Sequence, residues 1–206
     1  WIGLVGSEMC IRDRLTLSEH PQSRLTELSM LPDHEYKTVC SAFNQTQVFV
    51  NEQKQVHELF EEQVTKTPEQ QALVYNNTHL TYQTLNQRAN QLAHYLIELG
   101  VTDNILVGIG MERSIEMIVS ILAVLKAGGA YLPLDAKYPA ERLQFMLDDG
   151  DVKVLLSDAD SWSGFSLGDG AKCLNLSTPA CAELLSAYPQ TNPIRKGPIS
   201  LDNQVY

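Results

Sequence analysis

The sequence predicts an α/β fold, a mainly parallel sheet flanked by helices. Three observations carry that expectation. Between residues 105 and 157, short apolar runs such as ILVGIGM and VKVLLS alternate with helical stretches. Strand, helix, strand at this spacing requires crossover connections and therefore parallel strands. The apolar runs are nearly continuous, as strands covered on both faces are. Finally, residues 125–135 (LKAGGAYLPLD) set two glycines where a long apolar helix gives way to a strand. Glycine lets the chain turn out of a helix within a few residues.

The elements follow in order. Residues 56–64 place Val56, Leu59, Phe60 and Val64 on one helical face, and Thr67-Pro68 ends that helix. Residues 71–75 form a strand, Asn76-Asn77 a turn and residues 79–81 the return of a small hairpin. A helix spans residues 82–99, with Leu85, Ala89, Leu92, Ala93 and Leu96 along one stripe. Gly100 is placed to cap its C-terminus. Residues 105–111 are an apolar strand. Ser114 caps the next helix, which runs to Lys126 and is apolar nearly all round. Such a helix is buried on most sides, so later strands are expected to cover it. Residues 130–134 form a strand. Pro139 suits the first turn of a helix over residues 140–148, with Leu143, Met146 and Leu147 inward. Residues 152–157 make another buried strand. A Ser/Gly/Asp-rich loop reaches Gly170, residues 171–176 suggest one more strand, and residues 177–203 are weakly patterned.

Composition narrows the function classes. Against 25 Asp and Glu stand 15 Lys and Arg, a net charge of −10. That balance argues against nucleic-acid and polybasic membrane surfaces. Of the four cysteines, none forms a CxxC or Cys/His cluster, so a zinc site is not expected. Scattered cysteines without a signal peptide read as reduced and cytoplasmic. No run approaches the roughly 18 apolar residues of a membrane helix. The sequons at Asn44, Asn76 and Asn175 read as chance occurrences.

Residues 1–14 are set apart. The run LVGSEMCIRDR at positions 4–14 is what a strand resembling a transposase sequencing adapter encodes. These residues are read as an assembly artefact, disordered and without core contacts. Residues 15–55 read as a polar tail and linker with scattered apolar anchors from Leu28 to Val50, and a turn at Pro32-Asp33.

Most chemistry-bearing residues have bland readings. His57, His79 and His94 are isolated, with His57 on a polar helix face. Asp148-Asp149 and the pair Asp158 and Asp160 sit at a helix end and in a loop, as turn and solvated residues do. Gly108-Ile109-Gly110 begins a dinucleotide-like pattern, but its third glycine would fall at Arg113. Gly128 and Gly129 follow a helix, whereas a phosphate cradle lies at a helix N-terminus.

Residues 80–85 (LTYQTL) and 125–135 (LKAGGAYLPLD) resemble the first and second core motifs of nonribosomal peptide synthetase adenylation domains, members of the adenylate-forming superfamily. Met111-Glu112-Arg113-Ser114 and residues 138–143 (YPAERL) are similar to the same family. One departure is Thr84, where the family usually has Glu. It forfeits the reciprocal half of a capping box begun by Thr81. Upstream, residues 42–46 (AFNQT) and 56–60 (VHELF) resemble the stretch that joins a condensation domain to an adenylation domain.

The resemblance implies three segments: residues 1–14 as artefact, 15–55 as condensation-domain tail and linker, and 56–206 as the N-terminal part of an AMP-binding adenylation domain, with an incomplete sheet. It implies a parent protein that activates an amino acid with ATP and magnesium to an aminoacyl adenylate. That protein then loads the aminoacyl group onto the phosphopantetheine of a carrier domain. A condensation domain upstream and a carrier domain downstream are the implied partners. In the family, the phosphate loop, substrate pocket and catalytic lysine come later in the chain. No catalytic, cofactor-binding or metal-ligating residue is therefore assigned here, and the fragment is expected to be inactive alone. Two alternatives stand beside this reading: another adenylate-forming ligase, namely an acyl-CoA or D-alanyl-carrier ligase, and a non-catalytic docking or scaffold module.

Overall fold

The computed structural model describes residues 11, 14–22, 24, 31–47, 54–159, 162, 164–168, 170–194 and 205. The chain divides into two units, residues 1–51 and 52–206.

In the first unit, α1 (Asp33–Lys37) runs directly into a π-helical turn, Thr38–Ala42. The expected turn at Pro32-Asp33 is instead a helix start. Pro32 is the N-cap and its carbonyl accepts from Tyr36 N at 2.9 Å. Asp33 and Glu35 in the first turn suit the positive end of the helix dipole. Asn44 closes the far end by donating from Nδ2 to the carbonyls of Val39 and Cys40, both at 3.0 Å. The reading of residues 1–14 lies almost wholly outside the described residues; Ile11 is exposed. Of the linker anchors, Phe43 is exposed, and Leu28, Met30 and residues 48–50 lie outside the described residues.

The second unit contains α2 (Val56–Lys66), the antiparallel hairpin β1 (Gln71–Tyr75) and β2 (Thr78–Thr81), α3 (Tyr82–Glu98), β3 (Leu106–Gly110), α4 (Ile115–Ala127), β4 (Ala130–Pro133), α5 (Ala140–Asp149), β5 (Val154–Ser157), β6 (Lys172–Asn175) and α6 (Pro179–Ser186). The main sheet has the order β4-β3-β5-β6, and every pairing in it is parallel. The parallel α/β architecture expected from the apolar runs is thus observed, within a residue or two at each end. The helix α6 was not anticipated. Its signal is compact: Thr178 caps it by accepting from Cys181 N at 3.3 Å, and Pro179 fills the first turn.

Local chemistry sets the boundaries. Asn76 and Asn77 both adopt positive φ, as a tight hairpin turn requires. Thr81 caps α3 through Thr84 N, and the Thr84 hydroxyl meets the Thr81 hydroxyl at 3.0 Å instead of reaching the backbone as Glu would. A reciprocal cap appears at α2, where Glu58 Oε2 accepts from Gln55 N at 2.7 Å. The two motif glycines divide two tasks. Gly128 takes the left-handed conformation (φ 95°) that ends α4. At Gly129 a Cβ would stand 2.8 Å from Val101 Cγ1 and 2.9 Å from the Ile105 carbonyl oxygen. The first glycine is needed for its φ, the second for close approach.

The core has two parts. On one face of the sheet, Leu92, Leu96, Val119, Ala123 and Val124 pack over Val107, Val154 and Leu156. On the other, Leu143 and Leu147 of α5 and Trp162 pack against Leu155 and Val152. Helix α4 does not wait for later strands: α3 and α2 cover it as a second helical layer. His57 is a further correction. It is buried, not on a solvated face, because the α2 surface that bears it turns toward the rest of the unit.

Candidate functional site

The connections leaving β3 and β5 diverge. From β3 the chain crosses by α4 to β4 on one side; from β5 it proceeds to β6 on the other. Where neighbouring parallel strands send their connections in opposite directions, the loops part and open a crevice at the strands' C-terminal ends. A cleft of about 950 Å³ lies at these ends. Met111, Glu112 and Arg113 line it after β3, Asp135, Lys137 and Tyr138 after β4, and Asp158 and Trp162 after β5.

Two contacts hold the cleft's rim. Glu112 N donates to Asp158 Oδ2 at 3.0 Å, tying the loop after β3 to the loop after β5. Trp162, almost fully buried, packs so closely on β3 that a Cβ at Gly110 would stand 2.5 Å from its ring. The wall carries both signs of charge, with Arg113 and Lys137 against Glu112, Asp135 and Asp158. Asp135 Oδ1 accepts from Lys137 N at 2.9 Å, and the Arg142 guanidinium stacks 4.2 Å above the Tyr138 ring. Among the described residues the wall contains no His, Cys, Ser or Thr. The arrangement suits holding and orienting a polar partner. Among the described residues it offers no Ser, Thr or Cys nucleophile.

The residues weighed from sequence do not converge. Asp158 reaches the cleft, where it accepts a backbone N–H, while Asp148 accepts from Gln144 Nε2 at 2.8 Å on α5. Asp160 lies outside the described residues. His79 is exposed in the hairpin, and His94 meets the Thr191 carbonyl at 2.9 Å. Cys40 and Cys173 are exposed and Cys181 is buried. Burial pushes the Cys181 thiol up, away from the thiolate that reactivity requires.

One residue of the 125–135 motif does unexpected work. The Lys126 side chain is entirely shut off from solvent, and its Nζ pairs with Glu61 Oε1 of α2. Burial lowers the Lys126 pKa, while the hydrogen bond and charge of Glu61 act to raise it. The residue therefore joins α4 to α2. Sequence reading passed over it as a helix-end lysine. Its helix carries two charges, Glu116 and Lys126, in an otherwise apolar run, and the run itself does not say which of them is buried. The cleft residues were also legible in principle, because each follows the C-terminal end of a predicted parallel strand.

The family described as AMP-binding enzyme matches residues 60–192, from α2 through the segment after α6. The chain belongs to the AMP-binding enzyme family. Within it, the chain is 44% identical over 150 residues to bacitracin synthase 3 of Bacillus licheniformis, a match covering 73% of this chain and 2% of that protein. Among solved structures it is similar to the nonribosomal peptide synthetase FmoA3 bound to α-methyl-L-serine-AMP, with TM-score 0.68 and 27% identity over 80% of this chain and 18% of that one. The N-terminal subdomain of NpsA from Klebsiella oxytoca shares the fold, with TM-score 0.58 and 23% identity over 71% of this chain and 36% of that one. The motif resemblance to the AMP-binding family is thereby borne out. The chain spans about 2% of the length of the synthetase it matches.

Proposed function

We propose that residues 56–206 are the N-terminal part of an adenylation domain in a nonribosomal peptide synthetase. The observation that carries this reading is the match of residues 60–192 to AMP-binding enzymes together with 44% identity to a peptide synthetase. In the parent protein, ATP and an amino acid combine to an aminoacyl adenylate and pyrophosphate. The aminoacyl group then passes to the phosphopantetheine thiol of a carrier domain. Acceleration of the first step rests on holding carboxylate and α-phosphate in line and stabilising charge at phosphorus. Residues 15–55 are the tail and linker from an upstream condensation domain. The division of the chain between residues 51 and 52 supports that boundary. The protein acts in the cytoplasm; among the described residues no helix is long and apolar enough to cross a membrane.

In this reading the residues that hold ATP and magnesium come later in the parent chain. Among the described residues no three His, Cys, Asp or Glu side chains gather to hold a metal ion. The motif glycines close a helix C-terminus, where carbonyls rather than N–H groups point outward. This segment's part is the scaffold: a parallel sheet, its helical cover and a cleft at the strand ends.

Two measurements test the reading. The chain alone gives no amino-acid-dependent exchange of pyrophosphate into ATP, with any amino acid; exchange above a heat-inactivated control would contradict this. Residues 60–192 grafted over the matching segment of a working adenylation domain preserve exchange and the recipient's amino-acid preference. A graft that folds but loses all exchange would count against the proposal.

A further inference from the structure

Beyond α6 the chain crosses α3 as a strap without regular secondary structure, residues 188–192, and α3 meets it with side-chain hydrogen-bonding groups. Asn86, Asn90 and His94 recur every four residues and so share one face of the helix. Asn90 Nδ2 donates to the Gln190 carbonyl at 2.7 Å and to Asn192 Oδ1 at 2.9 Å. Asn86 Nδ2 donates to Asn192 Oδ1 at 3.0 Å. His94 Nε2 lies 2.9 Å from the Thr191 carbonyl, and Gln91 Nε2 donates to the Tyr188 carbonyl at 3.4 Å. From α4, the buried Lys126 Nζ approaches Asn192 Oδ1 at 3.4 Å.

We propose that this face of α3 is a strap-binding site that reads main chain at residues 188, 190 and 191 and a single side chain, Asn192. Three observations favour it over ordinary packing. The side-chain nitrogens of Asn86, Asn90 and Gln91 all donate to acceptors of the strap, while the Asn86 and Asn90 side-chain oxygens are buried without a partner, so it is the donors that the strap satisfies. Asn90 is fully buried, yet its amide nitrogen is spent entirely on the strap. The strap also has little apolar anchorage past Tyr188: residues 190–192 are exposed and Ile194 is 92% exposed.

The site has a positional consequence. The strap stands between α6 and Val205, whose carbonyl accepts from Tyr131 N at 3.0 Å beside β4. Residues 188–192 are fixed on α3 ahead of that contact. Asn192 is then a positioning residue acting through Asn86, Asn90 and Lys126.

The test is backbone amide relaxation of Gln190 and Thr191 by NMR in the full chain. In the wild type both amides are rigid, with order parameters of about 0.85. Asn192→Ala drops them below about 0.6 while α3 amides keep their values. Asn192→Asp restores rigidity, since a carboxylate still accepts from Asn86, Asn90 and Lys126. Asn90→Asp loosens the strap at unchanged side-chain volume, because it presents an acceptor to two acceptors. Equal rigidity in wild type and Asn192→Ala, or equal looseness in Asn192→Ala and Asn192→Asp, overturns the proposal. The Asn192 pair alters an exposed residue and decides the question even if Asn90→Asp fails to fold.

Discussion

Helices α4 and α5 cross the same sheet on opposite faces, and they are built on different rules. α4 is sandwiched between the sheet and the α2/α3 layer; eight of its residues are buried, including Lys126. α5 has only the sheet side covered. Leu143 and Leu147 are buried, and Phe145 is 66% exposed. A helix with one covered face can turn all its charges to water. A helix covered on two faces has no such freedom, so any charge it keeps needs a partner inside. Lys126 finds Glu61.

The sharpest way to break this comparison is to remove that partner. Glu61→Ala leaves a buried ammonium unpaired and lowers stability by about 3–5 kcal/mol in urea denaturation. Lys126→Met, which replaces the pair's buried end with an apolar chain of similar size, changes stability by no more than about 1 kcal/mol. Equal losses in the two variants would show that the pair stabilises by attraction and that the burden of burying a charge is absent.

On α5 the ordinary apolar rule applies. Leu147→Ala, at a site only 2% exposed, costs about 2–4 kcal/mol by the same assay. A loss under about 1 kcal/mol would mean the second face of the sheet is loosely packed.

Alkaline pH sharpens the contrast. Burial holds Lys126 below the ordinary lysine value of 10.5, with Glu61 opposing. Between its folded value and 10.5 the unfolded chain carries more protons than the folded one, so this group makes stability rise with pH. The stability difference between wild type and Lys126→Met therefore climbs through that window, by at most about 1.4 kcal/mol per pH unit. Tyr95, pushed up mainly by burial, acts in the opposite sense above 10.0, but it is common to both chains and cancels in the difference. A difference that stays flat with pH would contradict the burial of the lysine.

The smallest effect belongs to the solvent side of α5. Phe145→Ser shifts stability by about 0.5 kcal/mol or less, since the ring is mostly in water already. A larger loss would reveal a partner packed on that face.

Much of the fold was legible because its signals are local. A cap, a period of apolar residues and a glycine at a helix end each act within a few positions, as at Ser114, residues 115–127 and Gly128. Helix α6 escaped because it is short and its stripe is weak, although Thr178-Pro179 marks its start. The turn read at Pro32-Asp33 failed because proline serves helix starts as readily as turns. The cleft was half legible: strand ends could be located, but which strands adjoin depends on the order β4-β3-β5-β6.

The sequence alone therefore determined the succession of elements, the parallel sense of the strands, the glycine stop after α4 and the resemblance to AMP-binding enzymes. Each of these is written in short stretches of chain, where near neighbours do the physical work. Only the tertiary structure decided that His57 is buried, that Lys126 is a paired internal charge, and that a stripe on α3 receives residues 188–192. Lys126 and Glu61 are 65 positions apart, and Asn90 and Gln190 are 100. Nothing local distinguishes a lysine that will meet water from one that will meet a carboxylate; the packing of α2 and α3 over α4 makes that choice.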